Sequence, residues 1–134
     1  MTIAFVVALF FELMDEHNIV RRDHNIEFFD IDLELQREAE NHAKWMARNE
    51  SLVHSPITYG AENIARANVS PKKMVNLWMN SSGHRRNILD KRYTKIGAAV
   101  YKSKSGRAIG RRGNSESRNV SRGQSSFAHD KGRC

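Results

Sequence analysis

Trp78 to Leu89 reads Trp-Met-Asn-Ser-Ser-Gly-His-Arg-Arg-Asn-Ile-Leu, and this stretch restricts the possible folds more than any other. The helix that reaches it starts at Ser70-Pro71, an N-cap serine followed by proline at the first helical position, where its missing N–H does no harm. Met74, Leu77 and Trp78 form one face and Val75 with Met79 widen it, so the helix is anchored in a core. Small polar residues follow, and Gly83 is expected to end the helix. The expected product is a helix, a sharp exit and a presented imidazole, His84, flanked by Arg85 and backed by the short apolar unit Ile88-Leu89.

The chain must build its core without covalent help. Its 134 residues fit one domain, and its single cysteine, Cys134, excludes an internal disulfide and any multi-cysteine metal site. A bound metal would have to use histidine and carboxylate. The formal charge is +7, but residues 107–134 hold seven Lys or Arg against Glu116 and Asp130, so +5 belongs to the tail and +2 to the first 106 residues. A nucleic-acid or anionic-membrane partner would therefore rest on the tail, whose arginines are dispersed and whose only aromatic is Phe127.

Ile3 to Phe11 is an unbroken apolar run, too short for a membrane span of about 20 residues. Two readings stay open: the hydrophobic part of an export signal, which lacks a basic start and a small-residue cleavage site, or a buried segment leading into the first helix. Leu13, Met14, Ile19 and Val20 then carry a helical pattern into Arg21, Arg22 and Asp23, with His17 and His24 expected at the surface or the helix end. Asp32 is the expected N-cap of a second helix, whose inward stripe is Leu35, Ala39, His42, Ala43 and Met46. His42 is read as a hydrogen-bonded core histidine. Tyr93 to Tyr101 reads as a strand, with Ile96, Ala98 and Val100 on one face and Gly97, Ala99 and Tyr101 on the other, small enough to admit a helix closely.

Several of these pieces resemble one family. Gly83-His84-Arg85-x-Asn87-Ile88-Leu89, the order Glu16-His17-Asn18-x-x-Arg21-x-x-His24, His54-Ser55, and Gly60-Ala61-Glu62-Asn63-Ile64-Ala65 are similar to signatures of the CAP family, also called SCP-like. One departure is Ala61, where the family more often has glycine directly before the glutamate. The resemblance implies an α+β fold, a three-layer α-β-α sandwich over 12–106. It also implies an extracellular or cell-envelope location. After Gly106 the chain turns rich in Ser, Gly, Asn and Arg, so 107–134 is expected to be a disordered basic tail in place of the family's final sheet strand.

His54, Glu62 and His84 are 8 and 22 residues apart, so no local helix spacing unites them. The resemblance does, by placing the matching residues at one cleft where two histidines bind a divalent ion, zinc being suited to imidazole. Asn63, Ser81 and Ser82 belong to the same expected cleft, with Trp78, Gly83, Arg85 and Asn87 as its framework. Of Arg85 and Arg86, one is expected to pair with a carboxylate. Many members have a second glutamate three residues after the tryptophan, and that position here is Ser81, which weakens any zinc site. The reading is a non-catalytic binding module for a cation, a small ligand or a protein partner. Its alternatives are a hydrolase with zinc on His54 and His84 and Glu62 as general base, and a lipid or sterol carrier.

Overall fold

The computed structural model describes residues 3–56, 60–67, 69–102 and 124–125. Helix α1 spans Ile3–Asp23 and takes in the apolar run Ile3 to Phe11. Phe10, Leu13, Met14, His17 and Arg21 are buried at steps of three and four along it, while Phe11 is turned outward. The helix ends where Asn25 takes a left-handed backbone (φ 56°) and Ile26 N–H returns to the Arg21 carbonyl at 2.9 Å. Asparagine tolerates that conformation better than most side chains.

Strand β1 (Asp30–Ile31) leads into helix α2 (Leu33–Asn49). Asp32 caps α2 as expected, accepting from Leu35 N–H at 2.9 Å. Leu35, Ala39, Ala43 and Met46 are its buried stripe. His42 falls at the edge of that stripe, which corrects the core reading: it is half-buried, donates from Nε2 to the Val53 carbonyl at 2.8 Å, and stacks on the exposed Trp45. Ser70 and Pro71 start α3 (Pro71–Met79) as expected, with the Ser70 side chain accepting from Lys73 N–H.

Gly83 does not end that helix. The exit lies at Asn80 and Ser81: Asn80 N–H still bonds back to Asn76, and Ser81 is extended (φ −114°, ψ 120°). A fourth helix, α4 (Ser82–Leu89), begins at once, with Arg85 N–H bonded to the Ser81 carbonyl at 2.8 Å. Gly83 sits in its first turn, facing open space. His84 is therefore presented by a helix and not by a loop.

The expected long strand is two short ones, β2 (Lys95–Ile96) and β3 (Tyr101–Lys102). β2 pairs with β1 in parallel, Asp30 opposite Lys95 and Ile31 opposite Ile96. Between β2 and β3 the backbone pairs with a helix. The Gln36 side-chain amide accepts from Ala98 N–H at 3.0 Å and donates to the Ala98 carbonyl at 2.9 Å, replacing a strand partner. Residues 96–100 are buried on both faces, so the expected alternation is replaced by burial throughout. A returning segment does exist: β4 (Gln124–Ser125) pairs antiparallel with β3, which corrects the expectation of a missing partner strand. The expected disorder of the rest of the tail lies outside the described residues.

Helices α1, α3 and α4 pack on one another, and α2 packs against β3 and β4. The core between them is built on Trp78, Leu13, Met46, Met74, Val75, Ile88 and Ile96. Close approach is most severe at Gly97. A Cβ there would lie 2.2 Å from the Leu35 carbonyl carbon and 2.4 Å from Gln36 N, both rigid backbone at the start of α2. Gly97→Ala should therefore cost more than about 3 kcal/mol in a urea-unfolding measurement, beyond ordinary overpacking, because no flexible side chain can yield.

Candidate functional site

The loop after α2 and the segment before α3 meet at His54 and Glu62. His54 Nδ1 donates to Glu62 Oε1 at 2.5 Å, and Ser55 N–H donates to the same oxygen at 2.9 Å. The Glu62 side chain is 10% exposed and that of His54 is 64% exposed. A nearly buried carboxylate thus orients an exposed imidazole through Nδ1, with Nε2 at the other edge of the ring.

His84, in the first turn of α4, is the second imidazole. Burial first, then the nearby His54, holds its pKa below the ordinary histidine value, so it stays neutral further into acid. Its main chain is pinned from below. Asn63, fully buried, donates from Nδ2 to the His84 carbonyl at 3.1 Å and accepts from Asn87 Nδ2 at 2.9 Å. Asn63 and Asn87 therefore work as scaffold for the cleft.

Trp78 is 1% exposed, and its ring centroid lies 6.4 Å from that of His84. Ser81 is half-buried at the N-cap of α4 with no side-chain capping bond, and Ser82 is exposed. Arg85 lies 3.4 Å from His24 Nε2, not in the expected carboxylate pair. Asp90 pairs instead with Arg92 at 2.7 Å. Among the described residues no three His, Cys, Asp or Glu side chains form a metal-holding group, so the expected set is two imidazoles and a carboxylate committed to one of them.

Two residues beneath the cleft were misplaced or passed over by sequence reasoning. His17 is fully buried, not at the surface: its Nδ1 donates to the Leu13 carbonyl at 2.7 Å and its ring lies 5.6 Å from Trp78. Arg21 is 1% exposed and donates to the carbonyls of Glu27, Ile88, Asp90 and Tyr93. The signal was present as the buried stripe 13, 17, 21 at steps of four, masked by the polarity of the last two residues.

With this geometry in place, residues 14–112 match the cysteine-rich secretory protein (CAP) family, and the chain belongs to it. The Bacillus subtilis protein YkwD, itself uncharacterized, is 31% identical over 102 residues, covering 64% of this chain. The chain spans 40% of that relative's length. An extracellular SCP-domain protein of Bacillus anthracis superposes with a TM-score of 0.68 at 22% identity, covering 96% of this chain and 44% of that one. An outer surface protein of Borrelia burgdorferi superposes with a TM-score of 0.69 at 18% identity, covering 90% of each chain. These likenesses show the α+β CAP fold. No helix among the described residues is long and apolar enough to cross a membrane.

Burial holds the His17 pKa near 4, with the positive Arg21 adding to the effect and the Leu13 bond opposing it. Because the folded value lies below the ordinary 6.5, the unfolded chain binds the extra proton first. Stability from this group is complete above pH 6.5 and falls as the pH drops toward 4, by about 3 kcal/mol across the window. The Asp90 carboxyl, held low by Arg92, titrates beneath that range. Urea unfolding between pH 4 and 7 should show this slope in the wild type and a flatter one in His17→Phe.

Proposed function

We propose that this chain is a non-catalytic CAP binding domain whose cleft takes a divalent cation, zinc being the best match, weakly through His54 and His84. The observation that supports it most is the 2.5 Å His54–Glu62 bond, in which a carboxylate orients an imidazole through Nδ1, with Nε2 at the other edge of the ring. Carboxylate-oriented histidine is the usual support for a metal-binding imidazole. With two imidazole ligands, the remaining positions would be filled by water or by groups of a partner, which makes the cation a bridge rather than a structural clamp.

The hydrolase alternative asks Glu62 to take a proton from cation-bound water. Its Oε1 already accepts from His54 and Ser55, and its side chain is nearly buried, so orientation is the role this geometry favours. A lipid or sterol carrier finds no support in the two described cavities. One has room for about a single water, and the larger, about 230 Å³, is bounded by Arg21, Asn25, Glu27 and Lys91 among others. A place outside the cell or at its envelope is proposed with the same reading, supported by relatives described as extracellular and outer-surface proteins.

Zinc titration calorimetry near pH 7.5 tests the proposal. Wild-type protein should bind one equivalent, His54→Ala and His84→Ala should show no binding, and Glu62→Gln should weaken it roughly 10- to 100-fold. Isotherms that are identical in all four proteins would remove the cation. Cleavage of a peptide or ester panel that chelation abolishes and zinc restores would replace the binding reading with the hydrolase.

A further inference from the structure

A second cleft, of about 230 Å³, opens between the turn after α1 and the turn after α4. It lies beyond the C-terminal end of α4, whereas His84 stands in the first turn of that helix. Its room is below what a drug-sized molecule takes and suits a smaller one. Arg21, 1% exposed, stands in its wall, with its guanidinium committed to the Glu27, Asp90 and Tyr93 carbonyls that shape the two turns. The first turn contributes Asn25, Ile26, Glu27 and the exposed Phe28, and the second contributes Lys91. Glu27 and Lys91 are both exposed, and among the described residues neither side chain has an ion pair, with the other or elsewhere. One cleft thus carries a negative and a positive side chain that stand apart, beside an apolar ring.

We propose that this cleft binds a small zwitterion with an apolar side chain, an amino acid or a short peptide free at both ends. Lys91 takes the carboxylate, Glu27 takes the ammonium, and Phe28 with Ile26 covers the apolar side chain. The charge pattern selects this class. A simple anion would be drawn to Lys91 and the buried Arg21 but repelled by Glu27, and a simple cation would meet the reverse. An uncharged apolar molecule would strip water from both charges and offer nothing in return. A molecule that carries both charges answers both side chains, and the Asn25 carboxamide can donate to one end or accept from the other. The inference stands apart from the cation reading of His54 and His84.

The test is an amide-resolved NMR titration of the full chain with L-phenylalanine and with glycyl-L-phenylalanine. At least one of the two should shift the amides of Asn25 to Phe28, Lys91 and Thr94 saturably and leave those of His54, Glu62 and His84 in place. The dissociation constant should be on the order of millimolar, the range for so small a ligand. N-acetyl-L-phenylalanine, which lacks the ammonium, and L-phenylalanine amide, which lacks the carboxylate, should each bind several-fold more weakly. Lys91→Ala and Glu27→Gln, at exposed positions, should each weaken the zwitterion roughly 2- to 5-fold, the scale of an exposed charge contact. Lys91→Ala should leave binding of the amide compound nearly unchanged, and Glu27→Gln that of the acetyl compound. No saturable shift at these amides with either zwitterion, equal binding of the zwitterion and its singly charged analogues, or unchanged affinity in both variants would each overturn the proposal.

Discussion

The guanidinium of Arg21 is the interaction on which the rest of the structure depends. Its Nε donates to Glu27, one terminal nitrogen to Ile88 and Asp90, and the other to Tyr93, at 2.7 to 3.2 Å, while its carbon lies 3.8 Å from the centroid of the Phe29 ring. Ile88 and Asp90 are at the C-terminal end of α4, where unpaired carbonyls and the helix dipole favour a positive charge. Tyr93 leads into β2. One buried side chain from α1 thus fixes the end of the helix that carries His84, the entry to the parallel pair, and the turn before β1. Planarity and five donors make arginine suited to this, and lysine cannot reproduce the fork.

The cleft inherits its geometry from that frame. α4 is clamped at its last turn by Arg21 and at its first turn by Asn63, so the His84 backbone has little freedom. His54 lies on irregular backbone and is held by a carboxylate instead, with the Ser55 N–H sharing the same oxygen. The site therefore joins one imidazole set by helix packing to one set by a single polar contact.

Much of the frame was legible because its signals are local. Asp32 and Ser70-Pro71 announced their helices through capping chemistry, and Gly97 announced a close helix approach through the absence of a side chain. The expectation that His54, Glu62 and His84 share one cleft rests on family resemblance, since their separations exclude any local rule; the structure joins His54 to Glu62 directly. What escaped depends on tertiary partners. Gly83 reads as a stop because glycine disfavours helix interiors, yet the chain turned earlier, at Ser81, and Gly83 falls in an exposed first turn. The strand over 93–101 was read from alternation, which cannot foresee that Gln36 would supply its partner atoms. His17 reads as a surface or helix-end group, and Arg21 as no more than part of the helical run, because polarity outweighs their spacing in the sequence.

Native-state hydrogen exchange of Arg21→Lys against wild type, read amide by amide, tests the dependence on Arg21 most directly. If Arg21 is the clamp, amides of α4 and of the approach to β2 should lose more protection than those of α2, whose cap and Gln36 contacts do not involve Arg21. Protection of α4 that is unchanged, or that falls no further than that of α2, would contradict it.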